Sequence, residues 1–390
     1  MSKSNETTPN VPTLRFREFI ESWTLIPIKK LLRFQNGINA DSTKYGKGIK
    51  YISVSDILNN QYITYDCIKG LIDIDEKTLN RFIVEYGDIL FQRSSETFED
   101  IGRANVYLDK EHSATFGGFV IRGKKISDYN PLFFRYLLCT HNARKQTVRM
   151  GAGAQHYNIG QEGLEKICLY FPCLQEQQKI SDLLFAIDNK IAVQNKIISK
   201  YETLIKGIRE RVVSGSWQWK KLDELIQEGV VRLNRGNIIP KHQKDNTYKY
   251  PVYSSSTQNN GLMGYNNTYM FDKELITWSI DGGGNFFYRK KHKFNVTNVC
   301  GIMQVDENVY SYRFIAEMLT YQHSKMKFDY QSKAHPSVIS SLYSLPCLPI
   351  LEQNSYCQLF VALDRKMQIE QYGLNKLKEQ KKYLLSKMFI

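Results

Sequence analysis

Apolar residues climb the chain in alternating steps of four and three: Ile180, Leu184, Ile187, Ile191, Gln194, Ile198, Tyr201, Ile205, Ile208 and Val212. That period of about 3.5 residues is the seam of a coiled coil. The same ladder returns 176 residues later as Tyr356, Phe360, Leu363, Met367, Glu370, Leu374, Leu377, Lys381, Leu384 and Met388. No proline interrupts either run, and only Gln194, Glu370 and Lys381 break the apolar rule. The flanking words echo as well: EQQKISDLLFAIDNKI opens the first ladder and EQNSYCQLFVALDRKM the second. A seam of this length needs a facing helix in water, and each copy can supply the other's. Each run predicts a helix of roughly 36 residues, about 54 Å long.

The stretches before the ladders also run in parallel. ESWTLIPIKKLL, with Trp23, Lys29, Lys30 and Leu31, precedes one; GSWQWKKLDELI, with Trp217, Trp219, Lys220, Lys221 and Leu222, precedes the other. Pro172 and Pro349 cannot continue a helix and mark entry to the long ones. Between these landmarks lie β-branched and aromatic runs broken by Gly, Asn and Asp, such as GDILFQRSS, ATFGGFVIRG, YKYPVYSSS, ELITWSIDGGG and NVCGIMQVD, which read as strands. Helical patterns follow the strands in both halves, at NPLFFRYLLCTHNARKQTV and SYRFIAEMLTYQHSKMKF. The predicted class is α+β. A polar lead-in covers 1–19, a globular domain 20–172, a long helix 173–214, a second domain 215–349 and a second long helix 350–390.

Composition narrows the partners. The formal net charge of +14 points to a polyanion or an acidic partner. Aromatic residues make up 13%, which suits strands and polar contact surfaces. The seven cysteines are scattered without a CxxC, the pattern of a reducing compartment. No run of eighteen apolar residues predicts a membrane span, and the N-terminus lacks the apolar core of a secretory signal. A cytoplasmic protein is expected.

Catalytic chemistry is sparse. GFVIRGK, Gly118 to Lys124, has phosphate-loop spacing, but Lys125 stands where Ser or Thr must hold magnesium, so it reads as a strand. DGGGN, Asp281 to Asn285, is either a tight turn or supple backbone approaching a ligand. Glu379-Gln380-Lys381 has part of a nuclease spacing but falls inside the second ladder. The motifs of an amino-group methylase are missing, and the dispersed His and Cys match no metal spacing. No catalytic, cofactor-binding or metal-ligating residue is assigned.

What remains is polar and basic loop chemistry suited to DNA. Gln92, Arg93 and Ser94 end a strand-like run, and Arg and Gln match the donor geometry of base edges. Arg144, Lys145 and Arg149 lead into a small-residue loop with Gln155 and His156; Lys333 and His335 hold the matching place in the second half. Ser256, Gln258, Asn259 and Asn285 are further polar candidates, and Arg289, Lys290, Lys291 and Lys293 form a cluster suited to phosphate. The helix and subunit-contact set is Glu176, Gln177, Ile180, Leu184, Ile187, Asp188, Ile191, Ile198 and Ile205 in the first copy. Its second-copy members are Glu352, Gln353, Phe360, Leu363, Asp364, Met367, Leu374, Leu377 and Leu384.

This arrangement resembles the specificity subunit of a type I restriction-modification system. The resemblance covers nearly the whole chain. It rests on the Trp-Lys-Leu openings (Trp23, Lys30, Leu31; Trp219, Lys221, Leu222), on Glu176-Gln177 and Glu352-Gln353 after proline, on Asp188 and Asp364, and on TQNNGLMGYNNTYMF followed by GGG. It implies two target recognition domains, each reading half of a split DNA sequence. It also implies two long antiparallel coiled-coil helices in a pseudo-twofold repeat that set the spacer. Two methylation subunits would dock and methylate adenine N6 with S-adenosylmethionine, and restriction subunits would add ATP- and magnesium-dependent cleavage. No cofactor is expected on this chain. EQNSYCQLF departs from the family's usual basic residue and Ile, which marks the second repeat as the more divergent copy. The competing readings are a repeat scaffold that binds no DNA, and a nuclease or methylase enzyme.

Overall fold

A computed structural model describes residues 10–153, 156–239, 248–256, 258–281, 283–326 and 333–390. The chain divides into two compact units, Met1–Asn195 with Gly373–Ile390, and Lys196–Tyr372. Among the described residues no helix is long and apolar enough to cross a membrane.

The first unit begins with β1 (Thr24–Pro27), β2 (Leu32–Asn36), β3 (Tyr45–Ile52), α1 (Val54–Asn59), β4 (Leu71–Ile72) and α2 (Glu76–Arg81). Short strands follow: β5 (Ile89–Gln92), β6 (Ser94–Ser95), β7 (Ala104–Val106), β8 (Thr115–Phe116) and β9 (Val120–Lys125). Then come α3 (Pro131–Leu138), α4 (His141–Arg149), β10 (Tyr157–Asn158), α5 (Gln161–Glu165) and β11 (Cys168–Phe171). An antiparallel sheet in the order β2-β9-β5-β7 packs Ile89, Phe91 and Ile121 against Phe133 and Phe134 of α3. A second sheet, β4-β3-β8, encloses Ile52, Val84, Tyr107 and Phe116. GFVIRGK is the turn into β9 and most of that strand. Helix α3 starts sharply because the Asn130 side chain accepts from the Phe133 N–H at 2.9 Å and Pro131 fills the first turn.

The second unit repeats this plan with α7 (Leu222–Gln227), α8 (Tyr312–Lys325) and α9 (Pro336–Leu342). Its strands are β12 (Trp219–Lys221), β13 (Val231–Arg235), β14 (Tyr250–Tyr253), β15 (Leu262–Asn266), β16 (Phe271–Ser279), β17 (Phe286–Val296), β18 (Cys300–Val305) and β19 (Ser344–Pro346). The order β13-β18-β16-β17-β14-β15 fuses the two sheets of the first unit. The long β17 does the joining: from Phe286 to Phe294 it pairs antiparallel with β16, and Asn295 and Val296 at its end pair parallel with β14, the roles that β7 and β8 divide in the first unit.

Individual bonds confirm the match. Gly37 N–H donates to Val120 O, and Gly236 N–H to Cys300 O, both at 3.1 Å. A Cβ at Gly37 would meet Gly117 O at 2.0 Å and one at Gly236 would meet Val296 O at 2.1 Å, so both crossings demand glycine. Each domain is closed by a ribbon of its first and last strands, β1 with β11 and β12 with β19. The ribbon register sets Thr24 opposite Phe171, while Cys347 N–H bonds to Gln218 O. Trp23 therefore corresponds to Trp217, and the expected match with Trp219 is displaced by two residues. Strand pairing decides this register, and the local Lys-Leu echo does not.

Helix α6 spans Leu174–Val213 and α10 spans Ile350–Lys387. In the first unit Ile180, Leu184 and Ile187 share a core with Leu384 and Met388, and Ile191 packs at its edge. Asp188 lies beside Lys381 at 2.5 Å while Lys387 reaches back to Leu14, beside the foot of α6, so the two segments run antiparallel. Lys381, a charged rung of the ladder, is thus neutralised by Asp188, which also accepts from Tyr136 Oη at 2.8 Å. In the second unit Ile205 packs with Phe360 and Leu363, joined by Tyr201, Ile208 and Met367. Asp364 pairs there with Arg313 at 2.8 Å. Leu374 and Leu384 are buried, Ile198 and Leu377 half-buried.

The two Glu-Gln words begin these helices. Gln177 Oε1 accepts from Asn130 N–H and its Nε2 donates to Pro172 O, both at 2.9 Å. Gln353 Oε1 accepts from Ser311 N–H at 3.0 Å and its Nε2 donates to Leu348 O at 2.8 Å. Each glutamine thereby ties the first turn of the domain's large helix to the foot of the long helix. Their glutamate neighbours differ. Glu176 is fully buried under a bidentate Arg15, whereas Glu352 is exposed. Arg15 belongs to the segment read as polar lead-in. Residues from Asn10 onward fold onto the first unit, with Leu14 N–H on Lys387 O and Phe16 packed against the core.

Candidate nucleic-acid interface

In the first unit the end of β5 carries the polar loops. Gln92 is buried and donates to Ser94 O at 2.8 Å. Arg93 donates through Nη1 to Gly118 O at 3.2 Å, and its carbonyl accepts from Ile159 N–H at 3.0 Å. Strand β6 pairs with β10, and Ser94 Oγ donates to Asn158 Oδ1. Gln92, Arg93 and Ser94 are thus brought beside the loop that carries His156. Gln155 lies outside the described residues. Arg144 holds the loop between β6 and β7 through Glu99 O and Ile101 O at 2.8 and 2.6 Å, while Lys145 and Arg149 are exposed on α4.

The second unit builds the same edge at the end of β16. Gln92 N–H donates to Arg103 O at 2.7 Å, and Ser279 N–H donates to Asn285 O at 3.1 Å. Gly102 returns to Gln92 O as Gly284 returns to Ser279 O. Gly283 and Gly284 have φ of 82° and 79°, the left-handed backbone of a tight turn, and lie between β16 and β17. Ala334 N–H reaches Ile280 O at 2.9 Å, as Ile159 reaches Arg93. Lys333 pairs with Asp281 at 3.2 Å, and His335 is the residue immediately before α9.

A polar turn completes this edge. Ser279 Oγ donates to Ser255 O at 2.6 Å and so draws in the segment that carries Ser256, Gln258 and Asn259. Asn259, Asn260 and Gly261 adopt φ of 48°, 51° and 77°, a left-handed run that asparagine and glycine tolerate and β-branched residues do not. Ser256, Gln258, Asn259, Asn285, Lys333 and His335 are therefore gathered at one strand end.

The basic cluster divides. Lys290, Lys291 and Lys293 are exposed but lie five to eight residues along β17 from Asn285, roughly 15–25 Å away. Arg289 departs from the expected open phosphate contact. It is buried, its guanidinium lies 3.6 Å from the Tyr253 ring centroid, and its Nε donates to Thr277 Oγ1 at 2.9 Å. Burial pushes its pKa down to about 10. Alternation along β17 turns this one cation inward and its neighbour Lys290 outward. Arg103, Asn158 and Asn260 went unassigned. Only Asn260 had a local signal, the Asn-Gly turn dipeptide; strand pairing creates the positions of the other two.

The description "Type I restriction modification DNA specificity domain" names a family model that matches residues 21–203 and again 215–379. The chain belongs to this family. Its two matches each take in one recognition-type domain and most of the long helix that follows it. A putative type I specificity subunit of Mycoplasma pneumoniae is 39% identical over 100 residues, 25% of this chain and 32% of that protein. Another from the same organism is 25% identical over 194 residues, 49% of this chain and 81% of that protein. The chain spans 32%, 24% and 48% of the length of three such relatives. The S subunit of a type I restriction-modification system from M. genitalium has the same fold, with a TM-score of 0.67 over 97% of this chain and 99% of that one at 16% identity. A chain from a structure of type I R-M complex assembly superposes with a TM-score of 0.54 at 12% identity, over 94% of this chain and 97% of that one.

Proposed function

We propose that this chain is the DNA specificity subunit of a type I restriction-modification complex and itself performs no catalysis. The carrying observation is the duplicated strand-end edge: two domains of one topology each present polar side chains from equivalent loops. The first reads one half of a split target with Arg93, Ser94 and the His156 loop; Gln92, expected among the readers, is buried and instead holds the Ser94 turn. The second reads the other half with Ser256, Gln258, Asn259, Asn285, Lys333 and His335. Carboxamides and guanidinium groups suit base edges, while exposed Lys145, Arg149, Lys290, Lys291 and Lys293 suit phosphates. Two methylation subunits dock on the repeated helices and methylate adenine N6 with S-adenosylmethionine after flipping the base. Restriction subunits add ATP- and magnesium-dependent cleavage. The work takes place in the cytoplasm.

The test is methylome sequencing of the host with the gene present and deleted. Loss of one bipartite methyladenine motif on deletion is expected. An unchanged methylome, with the partner genes expressed, would overturn the assignment.

A further inference from the structure

Beside the first unit's reading edge, a cavity of about 300 Å³ opens between the end of α1, the start of β7 and the α3–α4 junction. Arg103, Arg135 and Arg144 line it, with Asn60 and Cys139 on the same wall. Among the described residues no carboxylate lines it; the nearby Asp100 is engaged by Arg103 at 2.6 Å. Arg144 is anchored through one Nη on two carbonyls, which fixes its position, and Asp100, already bound by Arg103, is the nearby opposite charge that the two cations share. Arg135 is the most telling of the three. Its guanidinium stands over the Tyr136 ring at 5.2 Å, and its Nε is enclosed by protein with no hydrogen-bond acceptor among the described residues.

Three cations around one cavity repel one another, and an enclosed guanidinium N–H without an acceptor carries a desolvation cost. Burial, joined by the like charge of Arg103, holds the Arg144 guanidinium below its ordinary pKa. A single tetrahedral oxyanion relieves all of these at once, because planar guanidinium forks match its oxygens two at a time. We propose that this cavity binds a phosphate group, and that in the working complex the group is a DNA backbone phosphate flanking the first half-target. The DNA source rests on the recognition role above; the phosphate chemistry does not. The site adjoins the reading edge because Arg103 O accepts from Gln92 N–H. It belongs to the first domain only. Counting from the Asn130 and Ser311 helix starts, Ala316 stands where Arg135 stands, and Asn285 takes the place of Arg103.

Two measurements on the full chain decide the matter. The first follows iodoacetamide alkylation of Cys139, resolved by peptide mass, as inorganic phosphate is titrated, with exposed Cys173 as the internal reference. Phosphate is expected to slow Cys139 selectively, and Arg135→Gln to abolish the protection; Arg103→Gln serves if that variant does not fold. The second follows duplex binding against salt, using the motif found in the methylome. The slope of log affinity against log salt is expected to fall by about 0.9 in Arg135→Gln, the signature of one lost phosphate contact. Lys200→Gln, on an exposed face of α6, is the reference. Absence of phosphate protection overturns the site. Protection with an unchanged slope keeps the phosphate chemistry and overturns the DNA source in favour of a free phosphate. Failure of the chain to bind any duplex strikes the recognition role, and the alkylation result still decides the cavity.

Discussion

Glu176 is fully buried at the foot of α6, with two hydrogen bonds from Arg15 at 2.7 Å as its counter-charge. Removing one partner of such a pair strands a charge in low dielectric. Arg15→Ala is expected to cost about 3–5 kcal/mol in urea unfolding, and Arg15→Lys to recover only part because the fork is lost. The neighbouring Lys179–Glu18 pair is half-exposed on both sides and screened by solvent, so Lys179→Ala should leave the urea midpoint nearly unchanged. His323 supplies a pH signature. Its Nδ1 lies 2.7 Å from Tyr343 Oη, and burial holds its pKa below 6.5. A histidine depressed in the folded state contributes stability that is present above its unfolded value and lost as pH falls through the folded one. The melting temperature of the second unit should therefore fall as pH drops below about 6.5 and through the lower folded value, and His323→Gln should flatten that slope. None of this was legible locally. Glu176 and Glu352 sit in identical words, and only a partner 161 residues away separates the buried acid from the exposed one.

At the scale of elements, the helical ladders were legible because their period is written in consecutive residues. Their charged rung Lys381 looked like a flaw, yet it meets Asp188 across the seam. Strand runs were also visible, but strand order was not, because pairing joins residues far apart in sequence. The displaced Trp23–Trp217 match and the inward turn of Arg289 both follow from that. The turn from Ser254 to Gly261 makes a sharp prediction. Asn260→Val must force a β-branched residue to a φ of 51°, at a cost of roughly 1–2 kcal/mol, while Asn260→Gly is neutral or better. Melting temperatures should rank the variants in that order, and duplex binding should follow if this turn reads bases.

For the whole molecule, duplication was the most legible property and reading specificity the least. The repeat shows in the ladders, the closing ribbons and the paired crossing glycines. The base contacts proposed above fall on loops that differ between the halves, eleven residues from Arg93 to Arg103 in one and six from Ile280 to Asn285 in the other. The proposed ruler belongs at this scale. Adding one heptad after Asn195 and another after Tyr372 lengthens both helices by about 10.5 Å, or roughly three base pairs. Methylome sequencing should then show the same two half-targets separated by about three more base pairs. Unchanged spacing would reject the ruler.

Among the described residues, the Gln177 and Gln353 side chains bond to main-chain N–H and C=O groups. Such a fastening is blind to side chains. It accepts any domain whose backbone presents those groups at the right place, whatever amino acids it carries. The two parts can then change sequence separately: substitutions in a domain leave these bonds untouched, and the helices stay as they were.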